Sequence, residues 1–299
     1  VSNTTPARDS TLPPGFRGWL GEQVRSRVVG PDASARHREI FDTDEPGWFD
    51  ADAPIRRVHG DASMFIGGLR ALLFQSLHPR AMAGVAQHSD YRNDPWGRLQ
   101  RTADFLAATT FGPATQAERA VATVHRVHRH VVGTTRHGEP YAANDPHLLS
   151  WVHLAELDSF LTAHDRFGAD PLRGAERDAY VADSAVVARA LGVIDPPVTE
   201  AGLRAQLDAF RPELRGSREA REAARYLLVT PPLPILGRAA YGLIAAASVS
   251  LMPAWTRWPL RLPWLPLSEA TLARAIGEGV TATLRWVVPS ADEVSADVS

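Results

Sequence analysis

In this 299-residue chain the side chains best suited to chemistry lie between His78 and Glu156. Val121, Val124, His125, His128, Val131 and Val132 recur at helical spacing and share one face, while Arg126, Arg129 and His130 point elsewhere. His128 therefore stands inside an apolar stripe. Two readings fit it: a core histidine whose ring nitrogens both find hydrogen bonds, or a neutral imidazole serving as metal ligand, haem-iron ligand or acid–base group. Arg98 and Thr102, four apart, share a face of another helix with Arg101 and Phe105. An Arg above an apolar site binds a carboxylate, a propionate or an oxygen-derived anion; its structural alternative is a helix–loop salt bridge. A Thr hydroxyl bonds its own i−4 carbonyl or a ligand. His153 and Glu156, three apart, can reach one metal, but the motif occurs once and reversed, which disfavours a di-iron bundle. His78 precedes Pro79, a position that breaks a helix, and suits a capping or core role.

Helices must position these groups. An apolar face from Asp61 or Ala62 to Leu77 predicts one, with Gly67-Gly68 marking a close approach by another helix or a ligand. Pro79 opens a short helix to His88. Asp94-Pro95 caps a helix to about Thr110, closed at Phe111-Gly112. Thr115 and Glu118 read as a capping box for a helix reaching Val132, with Gly133 as its stop. Asp145-Pro146 starts a helix to Phe167, and residues 175–191 make another before Gly192. Thr199 and Ser217 cap helices to Phe210 and Leu228. After Pro231-Pro232-Leu233-Pro234 comes an uncharged run, Ala239 to Thr256, then a Pro/Trp-rich turn over 253–266 and a last helix from Ser268 to Ala282. No alternating β pattern is evident. The expectation is all-α: a single-domain bundle of about ten helices, with an extension over 1–50, a helical catalytic domain over 51–283 and a tail over 284–299.

Composition narrows the classes. Cysteine is absent, so disulfides, thiolate nucleophiles and cysteine-ligated metals are excluded. The net charge of −2, with 32 basic and 34 acidic residues intermixed, argues against nucleic acid as a partner. The acidic segment Asp42, Asp44, Glu45, Asp50 and Asp52 reads as a solvated face, without the glycine of a calcium loop. No phosphate-binding loop, Gly-x-Gly-x-x-Gly, Gly-x-Ser-x-Gly or His-Glu-x-x-His occurs. The polar first residues lack a signal-peptide pattern, so the cytoplasm is the expected compartment. The uncharged run, broken by Pro253 and flanked by Arg238, Arg257 and several Trp, reads as a buried helix; its alternative is a peripheral membrane surface that admits a lipid-like substrate.

The ordered set His78-Pro79, Ala83-Gly84-Val85, His88-Ser89, Asp94-Pro95, Gly97-Arg98, Thr102, Phe111-Gly112, His128-x-x-Val131-x-Gly133, Tyr141, Trp151-Val-His153 and Asp158-Ser159, with the later Pro-Pro-Leu-Pro, resembles the DUF2236 family. That family is also described as the MpaB-like or rubber-oxygenase (latex-clearing-protein-like) catalytic domain, and the likeness spans about residues 50–265. It implies a globin-like helical core, haem b as cofactor, and a haem-dependent oxygenase or oxidoreductase using dioxygen or peroxide on an apolar or lipid-like substrate. By the same resemblance His128 is the iron ligand, with His153 and His78 as competing positions, and Arg98 and Thr102 lie on the opposite side. Arg101 replaces a lysine that caps the iron in some relatives; arginine does not shed its proton, so that closed form is not expected. Met82 stands near the place of a proposed catalytic glutamate, so polyisoprene cleavage is not the expected reaction. The alternatives are a haem enzyme that does not use dioxygen, such as a dehydratase or peroxidase-like protein, and a non-enzymatic haem or lipid binder.

Overall fold

The computed structural model describes residues 45–89, 93–230, 235–262 and 274–287. The chain is all-α apart from one small hairpin. The elements in order are α1 (Pro54–His59), α2 (Met64–Gln75), α3 (Pro79–His88), α4 (Pro95–Phe111), α5 (Ala114–His128), β1 (Val132–Thr134), β2 (Pro140–Ala142), α6 (Pro146–Phe167), α7 (Ala175–Ala190), α8 (Glu200–Phe210), α9 (Arg218–Val229), α10 (Ile235–Ser250), α11 (Ala254–Leu260) and α12 (Arg274–Val287). A 3-10 turn, Arg211–Glu213, follows α8 directly.

The caps behave as local chemistry predicts. Asp94 accepts from the Gly97 amide, Asp145 from His147, Thr199 from Gly202 and Ser217 from Ala220. Three expectations need correction. The predicted capping box at Thr115 does not form: Pro113 is the cap residue, and the Thr115 amide and hydroxyl both bond the Glu45 carboxylate (2.9 and 2.7 Å), so the acid at this helix start comes from a distant segment. The same helix ends at His128, not Val132. Val132–Thr134 pairs antiparallel with Pro140–Ala142, with Gly133 opposite Tyr141, and a Cβ on Gly133 would lie 2.6 Å from the Tyr141 hydroxyl. Three-residue strands are too short to show alternation, so this hairpin was not expected. Third, the uncharged run divides: α10 ends at Ser250, and Pro253 caps a separate α11. Most of the acidic segment before Glu45, the Pro-Pro-Leu-Pro stretch and the start of the expected last helix lie outside the described residues.

The core is built on α2 and α6, which pack most extensively. The Gly67 pair is explained by half: a Cβ on Gly67 would sit 3.0 Å from the Phe160 ring and 3.2 Å from the Ser159 carbonyl oxygen, whereas Gly68 meets nothing within 4 Å. Below this contact Arg70, only 2% exposed, donates to Asp158 (2.7 Å), Ser159 (2.6 Å) and the Leu251 carbonyl (3.0 Å), tying α2, α6 and the end of α10 together. Trp151, fully buried, donates to the Gln75 carbonyl at 2.9 Å and closes the other end of the same interface. Among the described residues no helix is long and apolar enough to cross a membrane. Asp158→Ala would strand the buried Arg70 guanidinium and is expected to cost roughly 3 kcal/mol of stability. Urea unfolding measures this, and a variant as stable as the parent would contradict the assignment.

Candidate functional site

Helices α4 and α5 are joined by Gly112-Pro113, so they run antiparallel and pack on each other. Further support comes from α1, from the Gly47–Pro113 bridge and from Glu45 on Thr115. At the far end His125 Nε2 bonds the Ala190 carbonyl at 3.0 Å and anchors α5 to the end of α7. Within the described residues, however, neither α4 nor α5 runs close along α6 or α7. Near its turn the hairpin packs on the core through Leu106, with Ala108, Thr109 and Thr110 buried; its remote half, carrying Arg98 and His128, makes sparse helix–helix contact with α6, and this region is the candidate slot.

Polar groups meet across that slot. Arg98 on α4 donates to Ser89 Oγ at 3.2 Å, at the end of α3, and its charge acts on Glu156 of α6. Burial holds the Glu156 carboxyl well above its ordinary 4.5, at about 7, with Arg98 opposing the rise. One turn before it on α6, His153 is pushed down to about 4 by burial, and its Nε2 is sealed without a hydrogen-bond partner. Behind Glu156 the polar line continues inward: the Tyr180 hydroxyl lies 3.4 Å from His59 Nε2, and His59 Nδ1 is 2.8 Å from Thr110 Oγ1. Burial depresses His59 to about 3, with His164 adding to the effect, and raises the Tyr180 phenol.

Each sequence candidate can now be placed. Arg98 and His128 are about equally far along the chain from the Gly112-Pro113 turn, each near the end of its helix remote from that turn. His128 is half-buried, with burial first and then His125 lowering its pKa; it makes no hydrogen bond to the described residues. A neutral imidazole without an internal partner is suited to a ligand role. Exposed apolar side chains flank it in the chain, Val127 (54%) and Val132 (55%), and Leu99 (38%) lies beside Arg98. Thr102 is exposed and donates to the Arg98 carbonyl at 3.1 Å, the back-bond its type favours. Arg101 turns outward to Asp94 at 3.3 Å and takes no part in the slot. His78 is buried elsewhere, at the start of α3, about 15 Å of helix away from the Ser89 end that holds Arg98. The structure thus brings Arg98 within electrostatic reach of Glu156 and places His78 at the other end of α3.

Sequence reading weighed Glu156 only as half of a metal pair. Its isolation within a buried helix face, next to His153, was the available signal. The contact with Arg98 depends on tertiary placement and had none.

This chain belongs to the family described as ER-bound oxygenase mpaB/B'/Rubber oxygenase, catalytic domain, which matches residues 56–286. Comparison with curated proteins and with solved structures gave no match.

The raised Glu156 pKa has a stability consequence. Between pH 4.5 and about 7 the folded chain keeps a proton that the unfolded chain has lost. Its contribution is fully present below pH 4.5 and is lost as pH rises to about 7. Glu156→Gln is therefore expected to flatten that part of the stability–pH profile, by roughly 3 kcal/mol at most. Parallel profiles for the two proteins would contradict the burial of this carboxyl.

Proposed function

We propose that the chain is a haem b-dependent oxygenase acting on an apolar or lipid-like substrate, with the cofactor beside the α4–α5 hairpin in the candidate slot towards α6. One observation carries the reading: the Arg98 charge on α4 acts on the Glu156 carboxyl of α6, beside α5, whose His128 imidazole has no internal hydrogen bond. The residues fit the group. His128 is neutral, half-buried and without an internal hydrogen bond, while the adjoining exposed valines and Leu99 offer the apolar contact a porphyrin face needs. His153 is the poorer ligand, because its Nε2 is sealed by neighbouring atoms, and His78 is engaged by Glu213 at 3.2 Å. Bound haem supplies dioxygen binding and activation.

The chain's own residues do the rest. His128 would hold the iron. The Arg98 guanidinium, steadied by Ser89, offers charge-assisted donors to a propionate or to negative charge developing on oxygen. Thr102 lies one turn along on the same helix, and rotation about χ1 redirects its hydroxyl from the Arg98 carbonyl to a ligand. Glu156, at about 7, is poised to give and take a proton at neutral pH, and so supplies a carboxyl from α6 where Met82 on α3 offers none. Exposed apolar side chains such as Val229 (66% exposed), Leu243 (41%) and Trp258 (91%) would suit substrate delivery from a membrane surface.

In reconstitution with hemin, His128→Ala is expected to lose haem retention at least tenfold, while His153→Ala retains it. Arg98→Ala is expected to keep haem and to slow dioxygen-dependent turnover of an apolar alkene about 100-fold. Product formed under 18O2 should carry the label. Unlabelled product, or turnover without dioxygen, would favour the dehydratase or peroxidase-like alternative; haem binding without any turnover would favour a carrier.

A further inference from the structure

At the opposite end of α3 from the slot, three side chains from distant parts of the chain converge. His78 is the residue before Pro79, held extended (φ −85°, ψ 114°) by that proline and only 2% exposed. His147 is in the first turn of α6, its ring stacked on Phe210 with centroids 4.5 Å apart. Glu213 ends the 3-10 turn after α8. His78 Nε2 lies 3.2 Å from Glu213 Oε2, and His147 Nε2 lies 2.8 and 2.9 Å from the two Glu213 oxygens. One nitrogen from each imidazole and one carboxylate oxygen all fall within 4.8 Å of one another.

We infer that His78, His147 and Glu213 form a binding site for a divalent transition-metal ion of the zinc class, separate from the slot. Two imidazoles and one carboxylate are a recurrent three-ligand set for such ions, which take a water molecule in the fourth position. The arrangement leaves room for that water: the His147 and Glu213 side chains are 45% and 38% exposed, so the site is reached from solvent while His78 forms its floor. Hydrogen bonding alone accounts for the cluster less well. The His147 nitrogen is nearly equidistant from both carboxylate oxygens, a poor arrangement for one N–H donor. The nearest guanidinium, Arg80, is 3.9 Å from Glu213 and 3.7 Å from Asp145, so its charge is shared between the two carboxylates.

The location gives the ion a purpose. It would pin the start of α3, the start of α6 and the end of α8 at one point. The far end of α3 carries the Ser89 that holds Arg98, and α6 carries Glu156. The ion would thereby fix the relative position of two elements that border the slot.

The test uses the tag-free full chain, stripped with a chelator and titrated with zinc against a chromogenic competitor. One saturable zinc per chain is expected, with affinity about 100-fold lower in His147→Ala and in Glu213→Gln, both partly exposed positions. Zinc-edge X-ray absorption should show nitrogen and oxygen neighbours at about 2.0 Å. His128→Ala is titrated alongside and should bind zinc as the parent does, so that failure of the haem reading and failure of this one are told apart. No saturable zinc, or equal affinity in His147→Ala, Glu213→Gln and the parent, would overturn the assignment.

Discussion

The contact between α2 and α6 is the constraint on which the remaining structure depends. Gly67 lets the two helices approach until a methyl group would press on Phe160, and Arg70 then binds Asp158, Ser159 and the Leu251 carbonyl from within the interface. A guanidinium buried this deeply is tolerated only with all its partners in place. The three bonds therefore fix the rotation of α6 about its axis as well as its position. That rotation decides where the other side chains of α6 go: with Trp151 and Asp158 turned to α2, His153 and Glu156 lie on another face.

The α4–α5 hairpin obeys a different rule. Its ties to the core are few and peripheral: α1, the Glu45 carboxylate, the Gly47–Pro113 bridge and His125 on the end of α7. Leu106 also packs on the core, and beyond it the His128 and His153 imidazoles are left with incomplete partners. Glu156 carries a proton near neutral pH because it is buried with only the opposing influence of Arg98. His128 stays neutral and unbonded, and His153 has a sealed, unsatisfied nitrogen. A buried polar atom left short of a partner is costly, and His153 Nε2, one turn from a carboxyl of raised pKa, suits the edge of a ligand site.

Much of this was legible in the sequence where the physics is local. Asp94-Pro95, Asp145-Pro146, Thr199 and Ser217 each satisfy amides two or three residues away, so the chain states its own helix starts. Pairing Arg98 with Thr102 on one face also followed from helical spacing. The failures arose where a distant segment supplied the partner. Glu45 replaced Glu118 at the start of α5, Tyr141 turned Gly133 from a helix stop into a strand residue, and Glu213 drew His78 into a cluster far from Arg98 along α3. Arg70 was one arginine among many until burial distinguished it. Composition, however informative about class, says nothing of such pairings.

The most direct test of the central claim is the haem content of the purified full chain, produced with haem supply and measured by the pyridine haemochrome assay beside oxidised and dithionite-reduced absorption spectra. The slot described above predicts about one haem b per chain and a Soret band that shifts on reduction. A chain that shows no Soret band, and takes up no hemin on reconstitution, would contradict it and leave a helical protein whose slot holds some other apolar ligand.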